Sequence, residues 1–339
     1  MNLLIDIKHP AQLNLFKHIS KHLQEKGWNI IICYLDRGKL PRIIEKEYSG
    51  FECIKVGSSK GTKWSIFWNG NVVRTTDFIK LIRKKNIHIC IAASSAPLAL
   101  ACKLTGTPVI QFYDDPERKR INKINEMLSD RIFFPPIIKA QGKVEIFNCL
   151  KEWSYLSPKY FKPNIAVLEK YGLKGKDYVF VREVSNKSFN YYNQKDALVC
   201  SISGELDDNI PVLLSLEDKT IREQFPSHWR ILEEPIEDIH SLIYYAKLMV
   251  SSGDSMAREG AMLGVPSIYC GIREMKANEL LIEKGILEHY PAEKAIDPIN
   301  HYIQSGEMPE KQEEIRGKLL NEWTDMNSFM EQQVLKYTK

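Results

Sequence analysis

No apolar run in the 339 residues approaches the length of about eighteen needed to span a bilayer. The opening segment, MNLLIDIKHP, passes directly into polar residues without the basic and apolar regions of a leader. Both absences argue against secretion and membrane spanning, and the expected location is the cytoplasm. Cysteine is unpatterned: Cys33, Cys53, Cys90, Cys102, Cys149, Cys200 and Cys270 are odd in number, scattered, and without C-x-x-C or Cys/His ligand spacing. Reduced thiols follow, rather than a disulfide framework. Charge of one sign is not concentrated either. The 47 Lys and Arg interleave with 43 Asp and Glu for a net charge of +4, so the basic stripe of a nucleic-acid binder is missing. That slight excess suits a phosphorylated ligand or an anionic membrane surface. There is no G-x-G-x-x-G, which argues against an ordinary dinucleotide dehydrogenase, and no D-x-D or H-E-x-x-H, so no metal or cofactor is assigned.

What is present is a globular composition, 44% hydrophobic and 27% charged, in a chain long enough for two domains. Short apolar runs alternate with amphipathic segments from the start: Leu3 to Ile7, a helical pattern from about Ala11 to Lys26 closed by Gly27, then Ile30 to Leu35. Runs at Phe51 to Val56, Ile87 to Ala92, Pro108 to Phe112 and Arg131 to Phe134 continue a βα rhythm and predict a parallel sheet covered on both faces. Between about 140 and 175 the rhythm breaks into aromatic, proline and lysine residues, among them Trp153, Tyr155, Pro158, Tyr160, Phe161 and Pro163. It resumes at Tyr178 to Arg182, Ile210 to Leu214, Trp229 to Leu232, Leu248 to Ser251 and Ser267 to Tyr269. The expected organisation is an α/β chain with Rossmann-like domains at 1–160 and 161–308. A charged helical segment at 309–339 is expected to cross back to the first domain.

Three segments carry chemistry. Strand Leu248 to Ser251 runs into the turn Ser252-Gly253-Asp254-Ser255, then into a helix through Met256 and Glu259 to the exit Gly264-Val265-Pro266. Small residues let backbone N–H groups approach an anion, Asp254 or Ser255 is suited to cap, and the helix N-terminus adds free donors and a positive dipole end. A pyrophosphate fits that description, as does a plain helix cap. Glu259, four residues after Ser255, shares its face and is within reach of a ribose hydroxyl; pairing with Arg258 or a lysine is the alternative. At the end of the first strand, His9 is suited to general acid/base work or to binding a hydroxyl or phosphate, and equally to capping or packing. Gln111-Phe112-Tyr113-Asp114-Asp115-Pro116-Glu117-Arg118 follows another strand, and its Asp114, Asp115 and Glu117 offer a base for an acceptor hydroxyl, ligands for a metal, or acidic helix caps. Arg182, ending the first strand of the second half, is placed to pair with a phosphate or with a nearby carboxylate. Ser94 and Ser95 precede a helix and read mainly as N-caps.

Together these segments resemble the DUF354 family over nearly the whole chain. The resemblance rests on Asp6-Ile7-Lys8-His9-Pro10-Ala11, Phe112-Tyr113-Asp114-Asp115, Tyr155 to Pro163, Val181-Arg182-Glu183 and, most specifically, M-x-R-E-x-A-x-L-G-x-P at 256–266. It implies a fold of the GT-B type, with two Rossmann-like parallel-sheet domains facing across a cleft, related to glycosyltransferases and UDP-N-acetylglucosamine 2-epimerases. It also implies a nucleotide-sugar substrate, UDP-linked, with Ser252, Gly253, Asp254, Ser255, Met256, Glu259 and Arg182 toward the nucleotide. His9, Asp114, Asp115 and Glu117 would then face the sugar or acceptor. Gln12 and Asn14 stand where family members often carry histidine, and the turn at 251–255 has fewer glycines than usual. The expected activity is transfer of a sugar to a carbohydrate or lipid-linked acceptor in polysaccharide synthesis. The alternatives are a UDP-sugar 2-epimerase and a nucleotide-sugar binding protein without turnover.

Overall fold

The computed structural model describes residues 1–58, 68–186, 191, 193–194, 197–207, 209–233, 236, 238–305 and 309–337. It divides into two compact units, residues 1–160 with 323–339, and residues 161–322.

In the first unit the strands are β1 (Asn2–Ile7), β2 (Asn29–Asp36), β3 (Glu52–Ser58), β4 (Ile89–Ala92), β5 (Val109–Phe112), β6 (Arg131–Phe134) and β7 (Val144–Ile146). Its helices are α1 (Pro10–Glu25), α2 (Leu40–Glu47), α3 (Arg74–Lys84), α4 (Ala96–Thr105), α5 (Lys119–Leu128) and the single turn α6 (Trp153–Leu156). Among the described residues the sheet is wholly parallel, in the order β3-β2-β1-β4-β5-β6-β7. Alternation along β1 decides what each face carries. Leu4 packs with Phe78 and Ile82 of α3 and with Leu98 and Cys102 of α4, so Asp6, two residues on, faces the same helices.

The second unit holds β8 (Val179–Glu183), β9 (Val212–Leu216), β10 (Arg230–Ile231), β11 (Leu248–Ser251), β12 (Ser267–Tyr269) and β13 (Glu288–His289). Its helices are α7 (Ile239–Tyr244), α8 (Asp254–Met262), α9 (Lys276–Glu283), α10 (Ile296–Gln304) and α11 (Pro309–Glu322). Here too the described strands are all parallel, in the order β10-β9-β8-β11-β12-β13. Val179, Val181, Leu214, Leu248 and Val250 pack with Ile299 and Ile303 of α10 on one face. On the other, α8 lies close to β11 and β12 because Gly260 has no side chain. A Cβ there would stand 2.6 Å from Ser267 Oγ and 2.9 Å from Met249 Cγ.

Three elements depart from the sequence reading. The short strands β7 and β13, of three and two residues, fall where no alternation is readable, and only pairing with β6 and β12 makes them strands. The charged segment at 309–337 forms two helices rather than one. Asp325 interrupts it by accepting the N–H groups of Asn327 at 3.0 Å and Ser328 at 3.1 Å, which caps α12 (Met326–Leu335) as a new start. The helix α11 belongs to the second unit and α12 to the first.

Gly264, just past α8, has a φ of +75°, and a Cβ there would lie 2.5 Å from the Gln312 carbonyl oxygen. Left-handed strain and a backbone clash therefore act together. Gly264→Ala is expected to lose about 2 kcal/mol or more of stability, read as a lower urea midpoint with an unchanged slope. An unchanged midpoint would show that α11 moves aside freely.

Candidate functional site

In open parallel sheets, loops diverge where the strand order reverses, and the crevice beyond the carboxyl ends of the strands receives ligands. Each unit has one such point, between β1 and β4 in the first and between β8 and β11 in the second.

In the second unit, β11 ends at Ser251 and α8 begins at Asp254, leaving Ser252 and Gly253 to turn the chain. Ser252 Oγ accepts the Val184 N–H at 2.9 Å and donates to the buried Glu183 carboxylate, which accepts the Val199 N–H at 2.7 Å. Burial raises the Glu183 pKa, against the opposing pull of these donors. Ser251 Oγ closes the turn by accepting the Gly253 N–H at 3.0 Å and donating to the Gly253 carbonyl at 2.7 Å. A Cβ at Gly253 would stand 2.5 Å from Val184 Cγ1, so only glycine permits this approach of the two loops.

The start of α8 has a bare N-cap: Gly253 provides no side-chain acceptor for the first-turn N–H groups. Neither Asp254 nor Ser255 caps, contrary to the sequence reading. Asp254 Oδ2 pairs with Arg273 Nη1 at 2.9 Å, its Oδ1 lies 3.8 Å from Arg258 Nη1, and Ser255 Oγ donates to Oδ1 at 2.9 Å. The carboxylate most able to repel an anion is thereby held by two guanidinium groups. Arg258 is buried and also donates to Asn278 Oδ1 at 2.8 Å, while Met256 is half-buried on the first turn. Tyr191 was missed in the sequence. Its hydroxyl lies 3.7 Å from where a Gly253 Cβ would be and meets the Asp254 backbone, and burial, with Asp254 nearby, raises its pKa.

Arg182 pairs in register with Ser251 across the switch point. Its Nη1 donates to Ser215 Oγ at 3.0 Å and its Nη2 lies 3.4 Å from Glu217 Oε2. Glu259 is buried and has its Oε2 3.4 Å from His240 Nε2 of α7.

In the first unit, the switch point is underlain by a buried polar network around Asp6. Its carboxylate pairs with Arg74 of α3 and accepts from Ser95 Oγ, and all three side chains are buried. Ser95 is therefore at the N-cap of α4 without capping it by its side chain. Its N–H donates to Gln111 Oε1, and Gln111 Nε2 donates to Ser129 Oγ at 2.7 Å. Above this layer Lys8 donates through Nζ to the Ser94 carbonyl, and burial brings its pKa down to about 8. Gln12 ties the same two loops, accepting the Lys8 N–H at 2.8 Å and donating to the Ala93 carbonyl at 2.8 Å. This bracing accounts for glutamine there without any catalytic part.

His9 is the N-cap of α1, its Nδ1 accepting the Ala11 N–H at 3.2 Å, and its edge is open to solvent. In the neutral ring that bond places the proton on Nε2, so the exposed nitrogen donates. Desolvation, followed by the cations Lys151, Arg37 and Arg118, brings the imidazole down to about 4 although Asp114 opposes them. The acidic cluster is dispersed: Asp114 pairs with Lys151, Asp115 Oδ2 lies 3.0 Å from Arg118 Nε, and Glu117 is exposed. Among the described residues no group of three or more His, Cys, Asp or Glu could hold a metal ion.

A histidine whose folded pKa lies below its unfolded value binds fewer protons when folded. Its contribution to stability is therefore full above pH 6.5 and is lost as the pH falls from there toward about 4. In a ¹H–¹⁵N NMR titration His9 should remain neutral, with its proton on Nε2, down to a midpoint near 4. A midpoint at the ordinary 6.5 would mean that neither desolvation nor the cations bear on it.

The model of the family described as "Protein of unknown function (DUF354)" matches residues 1–339. Uncharacterized protein MJ0665 of Methanocaldococcus jannaschii is 24% identical over 308 residues, covering 85% of this chain and 87% of that protein. Among solved structures, glycosyltransferase VinC in complex with DTDP superposes with a TM-score of 0.69 at 12% identity, over 100% of both chains. The UDP-GlcNAc 2-epimerase of Neisseria meningitidis bound to UDP-GlcNAc gives 0.67 at 11% identity, over 99% of this chain and 100% of that one. At such identities the likeness concerns the fold, which is of the GT-B type with two parallel-sheet α/β domains. With its whole length matched by the family model and its two switch points built as described, the chain belongs to the DUF354 family.

Proposed function

We propose that the protein is a nucleotide-sugar-dependent glycosyltransferase of the GT-B type, with a carbohydrate or lipid-linked acceptor. The observation that carries this reading is the start of α8, where a bare glycine cap, a neutralised Asp254 and the nearby Arg182 leave first-turn N–H groups and a positive dipole end at the switch point. A diphosphate is the ligand class such a terminus serves, and it stabilises the same diphosphate as a leaving group. Glu259, held by His240 one turn along α8, is the reading's candidate for a ribose hydroxyl. In the first unit His9 supplies the acid/base group. As it stands Nε2 donates to a sugar or phosphate oxygen, and accepting the acceptor's proton requires Nδ1 to release Ala11. Of the three carboxylates after β5, Asp114 acts through the field around His9.

The test is a thermal-shift screen of the purified protein against UDP, GDP, CDP, ADP and TDP and their sugar conjugates. At a ligand concentration of about 100 Kd, one nucleotide family should stabilise by about 2.7 kcal/mol. That gain should shrink in Ser255→Ala and Glu259→Ala and survive in His9→Ala, which should lose turnover. Absence of any stabilisation by the panel sinks the donor site. Epimer exchange without acceptor assigns the 2-epimerase reaction instead, and stabilisation without any turnover leaves a binding protein.

A further inference from the structure

The helices α4 and α5, adjacent on the first unit, carry large apolar side chains on their outer faces. On α5 these are Ile121, Ile124 and Met127, at successive intervals of three, with Ile124 51% and Met127 68% exposed. On α4 they are Leu100 and Leu104, one turn apart, Leu104 being 60% exposed. Scattered single exposures are ordinary on a protein surface. Five on two neighbouring helices require a reason. The cations set among them indicate one: Lys119, Arg120 and Lys123 share the outer surface of α5, and Lys103 adjoins Leu104. Across α4 and α5 the only carboxylate is Glu126, which is half-buried. The core-facing residues of α4 are Leu98, Ala99, Ala101 and Cys102, so the fold has no use for the outer leucines.

We propose that this face of α4 and α5 is a docking surface for an anionic lipid bilayer. A basic helix with apolar residues between its cations lies in the interface plane, placing the apolar side chains among the acyl chains and the ammonium and guanidinium groups at the lipid phosphates. No helix among the described residues is long and apolar enough to cross a membrane, so contact of this kind is peripheral. The interleaved charge favours a phosphate-bearing surface over a second copy of this chain, since two like faces would set cation against cation. Because α5 starts directly after the 114–118 loop, docking there ties the carboxyl end of β5 to the lipid surface. This bears on a lipid-linked acceptor only if the proposed transferase reading holds. The docking itself does not depend on it.

The experiment is vesicle flotation of the full chain. Phosphatidylcholine vesicles containing about one third phosphatidylglycerol should retain the protein, and pure phosphatidylcholine vesicles should not. Ile124→Asp and Met127→Asp, both at exposed positions, should abolish retention while keeping the melting temperature and any nucleotide-induced shift. Lys123→Gln should lower the partition coefficient about fivefold, and raised salt should act in the same direction. Equal partitioning onto both vesicle types, or onto neither, overturns the proposal. So does a dimer on gel filtration that Ile124→Asp dissolves, which would assign the face to a second copy of the chain. Because the nucleotide shift is measured on the same samples, failure of docking and failure of the donor site are read separately.

Discussion

Each sheet reverses its strand order beside its own first strand, and the placement of every candidate residue follows from that constraint. The chain leaves β1 in one direction and β4 in the other, and likewise β8 and β11, so that two loops diverge and leave a crevice open at their base. The open base must be held rigid by something other than ladder hydrogen bonds. In the second unit Ser252 and Glu183 do this, tying the turn before α8 to the loop after β8. In the first unit Asp6, Arg74, Ser95 and Gln111 do it beneath the surface, and Gln12 does it above.

These two braces differ in chemistry. The buried Asp6–Arg74 pair is a charge pair whose separation would strand an ion in the core, a loss of about 3–5 kcal/mol in comparable cases. The Glu183 brace is built from donors to a carboxylate whose pKa burial raises. In both, the polar side chains nearest the switch point are committed to the scaffold, and in the second unit the first turn of α8 keeps no side-chain cap. Fixed backbone dipoles need no reorganisation when charge develops, which is the property the proposed diphosphate leaving group requires.

The same commitment changes how individual residues are to be understood. The Ser252 hydroxyl is held by Val184 and Glu183, Asp254 pairs with arginines rather than capping, and Ser95 serves Asp6. Gln12 is a brace between two loops. His9 retains both descriptions, since its Nδ1 caps α1 while its remaining edge is open.

From the sequence alone came the alternation of apolar runs and amphipathic segments, hence two parallel sheets, and the small-residue turn before α8 that marks the second switch point. These are local quantities: periodicity, glycine placement and strand ends are written in consecutive residues. The tertiary structure alone decided the partners. Arg74 is 68 positions from Asp6, Ser252 is 69 from Glu183, and Gln194 donates to the Ser252 carbonyl from 58 residues away. Such pairs leave no periodic trace. Neither do β7 and β13, too short to alternate, nor the break at Asp325, where one side chain outcompeted the helix for two N–H groups. The sequence determined where strands end and helices begin because those signals are local, and the tertiary structure determined which side chains remain for a ligand because burial forces polar groups to satisfy one another first.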